Sequence, residues 1–171
     1  MEAIKSISDK GKAGEEAFNQ WPRGYNMSYV SVCQSKESFS TLFPFHVKRP
    51  DFLLLFEALG MIAIDIKNYQ SSGGVFTLKY EEELRRSIAF ERLFRIPVWY
   101  VFCDPDGFGM SWYWISALKA VEVGDKRTNE NTRQEFLAIK KTEFAHICTA
   151  DDLALLYTQR LPSVTKLASA C

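Results

Sequence analysis

Two carboxylates and a lysine stand close together in residues 48–70, KRPDFLLLFEALGMIAIDIKNYQ. Asp51 follows Pro50 and opens the apolar run 52–56, while Asp65, Ile66 and Lys67 close the apolar run 61–67. Charged groups set into an apolar sheet are costly unless paired, so such a group usually binds a metal, a partner or a substrate. The spacing predicts which of them meet. Side chains at i and i+2 share one face of a strand, which puts Asp65 and Lys67 together and turns Ile62, Ile64 and Ile66 the other way. A two-residue turn would set Asp51 against Ile66, on the wrong face. A three-residue turn over Ala58, Leu59 and Gly60 pairs Glu57 with Met61 and Asp51 with Lys67, bringing all three polar groups to one face. Gly60 suits the left-handed last position of that turn.

The elements that must hold these residues are readable on either side. Residues 6–21 read as a helix capped by Ser8 or Asp9, with Gly14, Ala17, Phe18 and Trp21 as a narrow buried stripe. Glu15 lies about 100° from Gly14 on that wheel and can lean toward the sheet, whereas Glu16 points away. Residues 29–33 read as a first strand and 34–41 as a serine-rich loop. After the hairpin and the turn at 70–74, residues 80–95 read as a second helix with Tyr80, Leu84, Ile88, Phe90 and Phe94 as its apolar arc. Glu91 falls inside that arc and is expected to pair with Arg95. Pro97 ends the helix, and 98–103 reads as a buried strand.

Pro50-Asp51, followed on the next strand by Asp65-Ile66-Lys67, resembles the signature of the PD-(D/E)xK nuclease superfamily. By the order of elements the resemblance covers roughly residues 9–103. It implies an α/β fold with a restriction endonuclease-like, Holliday junction resolvase-like core, in which a mixed central sheet flanked by helices follows an αβββαβ order. It also implies metal-dependent hydrolysis of phosphodiesters, with DNA as substrate in repair, recombination or defence against mobile elements. Hard oxygen ligands suit Mg²⁺ or Mn²⁺. On this reading Asp51 and Asp65 coordinate the ion with the backbone carbonyl of Ile66. Glu15, in the sequence GKAGE, serves a second ion or a coordinated water. Lys67 orients the attacking water and stabilises developing charge. The competing reading of Glu15 and Glu16 is a favourable interaction with the helix dipole. The competing reading of the whole chain is a noncatalytic nucleic-acid-binding or assembly domain on the same fold.

The C-terminal third carries weaker signals. Asp104-Pro105-Asp106-Gly107 reads as a turn, and Trp112-Tyr113-Trp114 as sheet packing rather than a base-stacking platform. GDKRTNENTRQ, 124–134, reads as a solvated polar loop whose Lys126, Arg127 and Arg133 could touch phosphates. Residues 136–147 read as a strand and turn. Residues 151–161 read as a short helix with Leu153, Leu156, Tyr157 and Leu161 inward. His46 and His146 sit in unrelated contexts, which supports neither a catalytic dyad nor a zinc site. One domain is expected over residues 1–171, with its core at 6–103, an extension at 104–161 and a tail at 162–171.

The chain has 171 residues, 47% apolar and 25% charged, with a formal net charge of zero. Nucleic-acid binding must therefore come from a local basic cluster. No run approaches a membrane span, and the polar N-terminus does not read as a signal peptide. Cys33, Cys103, Cys148 and Cys171 are widely separated and read as reduced thiols of a cytoplasmic protein. The partners implied are DNA and a second copy of the chain, with no membrane.

Overall fold

The computed structural model describes residues 7–38, 46–56, 60–68 and 71–156. It is a mixed α/β fold with two sheets. The larger sheet has six strands in the order β1-β2-β3-β5-β6-β9, and the smaller has three in the order β4-β8-β7. In chain order the elements are α1 (Ile7–Gly24), β1 (Tyr29–Ser31), β2 (Phe52–Phe56), β3 (Gly60–Lys67), β4 (Val75–Lys79), α2 (Arg86–Phe94), β5 (Val98–Cys103), β6 (Trp112–Ser116), α3 (Ala117–Val123), β7 (Asp125–Thr128), β8 (Glu135–Lys140) and β9 (Ala145–Ile147). The large sheet is mixed: β3 runs parallel to β5 and antiparallel to β2.

Alternation explains how β3 and β5 came to lie at the middle. Ile62, Ile64, Ile66, Trp99, Val101 and Cys103 pack on one face with Phe18 and Trp21 of α1. Ala63, Val98, Tyr100 and Phe102 pack on the other with Leu84, with Phe90 of α2, with Ala117 and Ala120 of α3, and with Phe76 and Leu78 of β4. All six residues of β5 are buried, as the continuous run VWYVFC requires of a strand covered on both sides. Gly14 lets α1 come down on the end of β3. A Cβ there would lie 2.8 Å from the Asn68 Cβ and 3.3 Å from the Cys103 Sγ. Asn68 fastens the same junction by donating to the Lys10 carbonyl at 2.6 Å.

Several expected boundaries shift. The first helix runs on through Pro22 to Gly24, and Ser8 lies inside it. The first strand stops at Ser31 rather than 33. The helix expected over 80–95 is two pieces: a π-helical turn, Tyr80–Arg85, leads into α2, which ends with Arg95 left-handed at φ 58°. Strand β4, helix α3 and strand β7 were not legible as such; β7 lies inside the stretch 124–134 read as a loop. Leu153 and Leu156 are buried as expected. Residues 151–154 form a 3₁₀ turn, however, and Tyr157, Leu161 and the tail lie outside the described residues.

Candidate functional site

The hairpin ladder decides which polar groups meet. Phe52 pairs with Ile64, Leu54 with Ile62 and Phe56 with Gly60. One step further along the ladder sets Asp51 opposite Asp65, not opposite Lys67 as the turn over 58–60 would require. The connection still spans three positions, but Gly60 belongs to β3, with φ 103°, instead of closing the turn. Glu57, Ala58 and Leu59 lie outside the described residues. The register moves by two residues, and because strand side chains repeat every two, the face is preserved. Asp51 donates its N–H to the Ile64 carbonyl at 2.8 Å, and its Oδ2 accepts the Ile66 N–H at 2.7 Å. Ile66 thus presents its backbone to Asp51.

Asp65 and Lys67 project together into the core, exposed by 2% and 5%. The Lys67 ammonium lies 2.8 Å from Asp65 Oδ1 and 2.5 Å from Glu83 Oε1. Lys48, in the segment before Pro50, forms an ion pair with Asp65 Oδ2 and stands 3.6 Å from Glu83 Oε1. Glu83 had no role in the sequence reading, nor had Lys48. Glu83 is delivered by the π-helical turn, whose i→i+5 bonding changes the angular position of each residue relative to an α-helix. Its Oε2 accepts the Lys79 N–H at 3.0 Å, closing the helix start while Oε1 serves Lys67. The one available signal was the run Glu81-Glu82-Glu83 at a helix beginning, any member of which can reach back to the preceding backbone.

Electrostatics separates the members of this group. Burial opposes ionisation of Asp65, but Lys48 and Lys67 outweigh it and hold the carboxyl below its usual range. Burial opposes the charge on Lys67, and Asp65 and Glu83 reverse that, raising its pKa well above the ordinary lysine value. Asp51 is different. Burial, then the negative charge of Asp65, push its carboxyl up to about 7 against the help of the Ile66 N–H and Lys48. Glu15 is half-buried and Glu16 exposed, as the helical wheel indicated. The Glu15 carboxyl is raised by burial and by Asp65, which puts it within electrostatic reach of the cluster. Among the described residues, no group of three or more His, Cys, Asp or Glu side chains is gathered closely enough to hold a metal ion.

Two further expectations change. Glu91 accepts the Val98 N–H at 2.6 Å instead of pairing with Arg95, because the left-handed Arg95 turns the chain back toward β5. His146 is not isolated. Strand β6 bridges β5 and β9, so its Nε2 comes to 3.2 Å from Asp104 Oδ2, and its ring stacks on Tyr113 at 4.4 Å. Ser111 donates to the same Asp104 oxygen at 2.7 Å. Trp112 and Trp114 are fully buried, as sheet packing predicts.

Comparison of the chain with protein-family models, with curated proteins and with solved structures finds no match. None of the described helices is long and apolar enough to cross a membrane.

Proposed function

We propose that the chain is a metal-dependent phosphodiesterase, a nuclease acting on DNA through a PD-(D/E)xK-type site on a restriction endonuclease-like core. The observation that carries the reading is the position of Asp51 opposite Asp65, with Lys67 on the same face of β3. Charge supports it. Asp51, Asp65, Glu83 and Glu15 are four carboxylates around two ammonium groups, Lys48 and Lys67, and the half-buried Asp51 gains little from them. A divalent cation fits that imbalance and the all-oxygen donor set. Asp51, Asp65 and the Ile66 carbonyl would hold Mg²⁺ or Mn²⁺, with Glu15 as the outer carboxylate. When bound, the ion supplies Lewis-acid polarisation of a phosphoryl oxygen.

The chain's own residues do the rest. Asp51 keeps one oxygen on the Ile66 N–H and offers the other to a ligand. Lys67 is fixed by Asp65 and Glu83, so its ammonium stays protonated and aimed without reorganising, the condition for stabilising charge that develops on phosphate. One specific observation favours the second reading, a noncatalytic binding domain: Lys48 stands against Asp65 in the position a cation would claim.

The test is cleavage of supercoiled, linear, single-stranded and branched DNA with Mg²⁺ or Mn²⁺, by wild type and by Asp51→Asn. Ion-dependent cleavage lost in the variant is the expected result. No cleavage of any substrate by wild type sets the nuclease reading aside in favour of the binding domain.

A further inference from the structure

With acidic and basic residues in equal number, a polyanion finds attraction only where cations gather without carboxylates. In the basic stretch 124–134 carboxylates accompany the cations, and Arg133 shares a recess with Glu81, Glu82 and Glu135. Lys126 pairs with Glu135 at 2.9 Å and lies over the Tyr80 ring, and Arg127 pairs with Asp125 at 2.9 Å. Arginines gather instead beside α2. His46, Arg85, Arg86 and Arg92 line a recess of about 460 Å³ whose single acid is Glu81. Arg85 engages that acid at 2.7 Å, while Arg86 and Arg92 make no ion pair among the described residues, Arg86 acting on the exposed Glu82 only at longer range.

The recess adjoins the carboxylate cluster. The Lys48 N–H donates to the Arg86 carbonyl at 3.2 Å, while the Lys48 ammonium sits on Asp65. His46 precedes Lys48 by two residues, at most about 7 Å of chain. Glu83 of the cluster lies in the same helical turn as Glu81 and Arg85 of the recess. From Arg85 to Arg92 the backbone advances about 10 Å along the helix. That is more than one phosphate needs, and it suits a run of them. Guanidinium forks match phosphate oxygens, and the aliphatic Ile88 and Ala89 carry no hydrogen-bonding group for a base edge.

We infer that this recess docks the sugar-phosphate backbone of a nucleic acid strand, independently of sequence, and leads it onto Lys48 and the Asp51–Asp65–Lys67 group. The choice of ligand rests on the phosphodiesterase reading.

The experiment is fluorescence anisotropy with short labelled duplexes of two unrelated sequences. It uses the full chain in EDTA, across a salt series. The Arg86→Ala/Arg92→Ala double variant should lose at least about ten-fold in affinity, equally on both sequences, and its salt slope should fall by about two. Arg127→Ala, on a cation already paired, should bind as wild type does. Wild-type affinity and slope in the double variant would overturn the inference. So would a loss confined to one sequence, or full displacement of the duplex by inorganic phosphate at equal phosphate concentration. Cleavage with Mn²⁺, read in parallel, separates the two proposals. Binding through the recess without cleavage keeps the docking surface and removes the nuclease. Cleavage by a double variant that binds like wild type does the opposite.

Discussion

Two aspartates end neighbouring strands of the large sheet, and they live under opposite conditions. Asp104, just after β5, is surrounded by groups that suit its ionised form: the Ser111 hydroxyl at 2.7 Å, the Asp106 N–H at 3.2 Å and His146. Burial works against ionisation there, but these donors prevail and its carboxyl sits below the usual range. At the end of β3, Asp65 is served just as well by two lysines, yet its own charge then falls on Asp51 across the ladder. Asp51 has one backbone donor and a carboxyl pushed up to about 7. One region is electrostatically closed; the other leaves a half-buried carboxylate under-compensated. Perturbed, closely placed carboxylates of the second kind mark functional sites more often than satisfied ones do.

The largest structural effect should come from opening the charge chain at its centre. Asp65→Asn keeps the volume but leaves Lys67 and Lys48 to share the single carboxylate of Glu83. Removing one partner of a buried ion pair costs roughly 3–5 kcal/mol, and urea unfolding should show it as a lower midpoint at unchanged slope. A loss below about 1 kcal/mol would mean that the cluster is far more hydrated than its burial indicates.

The pH dependence of stability should expose Asp51 next. Its unfolded carboxyl titrates near 4 and its folded one at about 7. Between those values the folded state binds the extra proton, so stability falls as pH rises from about 4 to 7 and the penalty is complete above 7. The expected loss is on the order of a few kcal/mol. Asp51→Asn should flatten this part of the profile and be the more stable protein at pH 8 in EDTA. A wild-type profile parallel to that of the variant would contradict the raised pKa.

Asp104→Asn should be the mildest of the three, about 1 kcal/mol, because the amide oxygen still accepts from Ser111 and the loop donors are partly hydrated. If this change matched Asp65→Asn in cost, the contrast between the two regions would fail.

Periodicity made much of this legible and hydrogen bonding hid the rest. The alternation in 61–67 fixes which face Asp65 and Lys67 share whatever the turn, so a register error of two residues left the polar face intact. The glycine at 14 and the wheel around it placed Glu15 toward the sheet and Glu16 toward water. What escaped was non-periodic. Glu83 arrives through a π-helical turn that an α-helical wheel does not contain, Lys48 through a segment without regular structure, and the contact of His146 with Asp104 through the pairing of β9 onto β6. Strand β4 escaped because its alternation covers only Phe76 and Leu78.

The most direct test of the central claim is the separation of rate from affinity at Lys67. Its ammonium is held by Asp65 and Glu83 beside the proposed ion site, so its main contribution is to charge that develops during hydrolysis. Lys67→Ala, with its fold verified by circular dichroism, should cut Mn²⁺-dependent cleavage by about 10²–10³-fold. DNA affinity should change only modestly, since one phosphate contact among several is lost. Mn²⁺ binding should persist or tighten once a neighbouring positive charge is gone. A wild-type protein that cleaves nothing, together with a Lys67→Ala effect confined to affinity, would contradict the account.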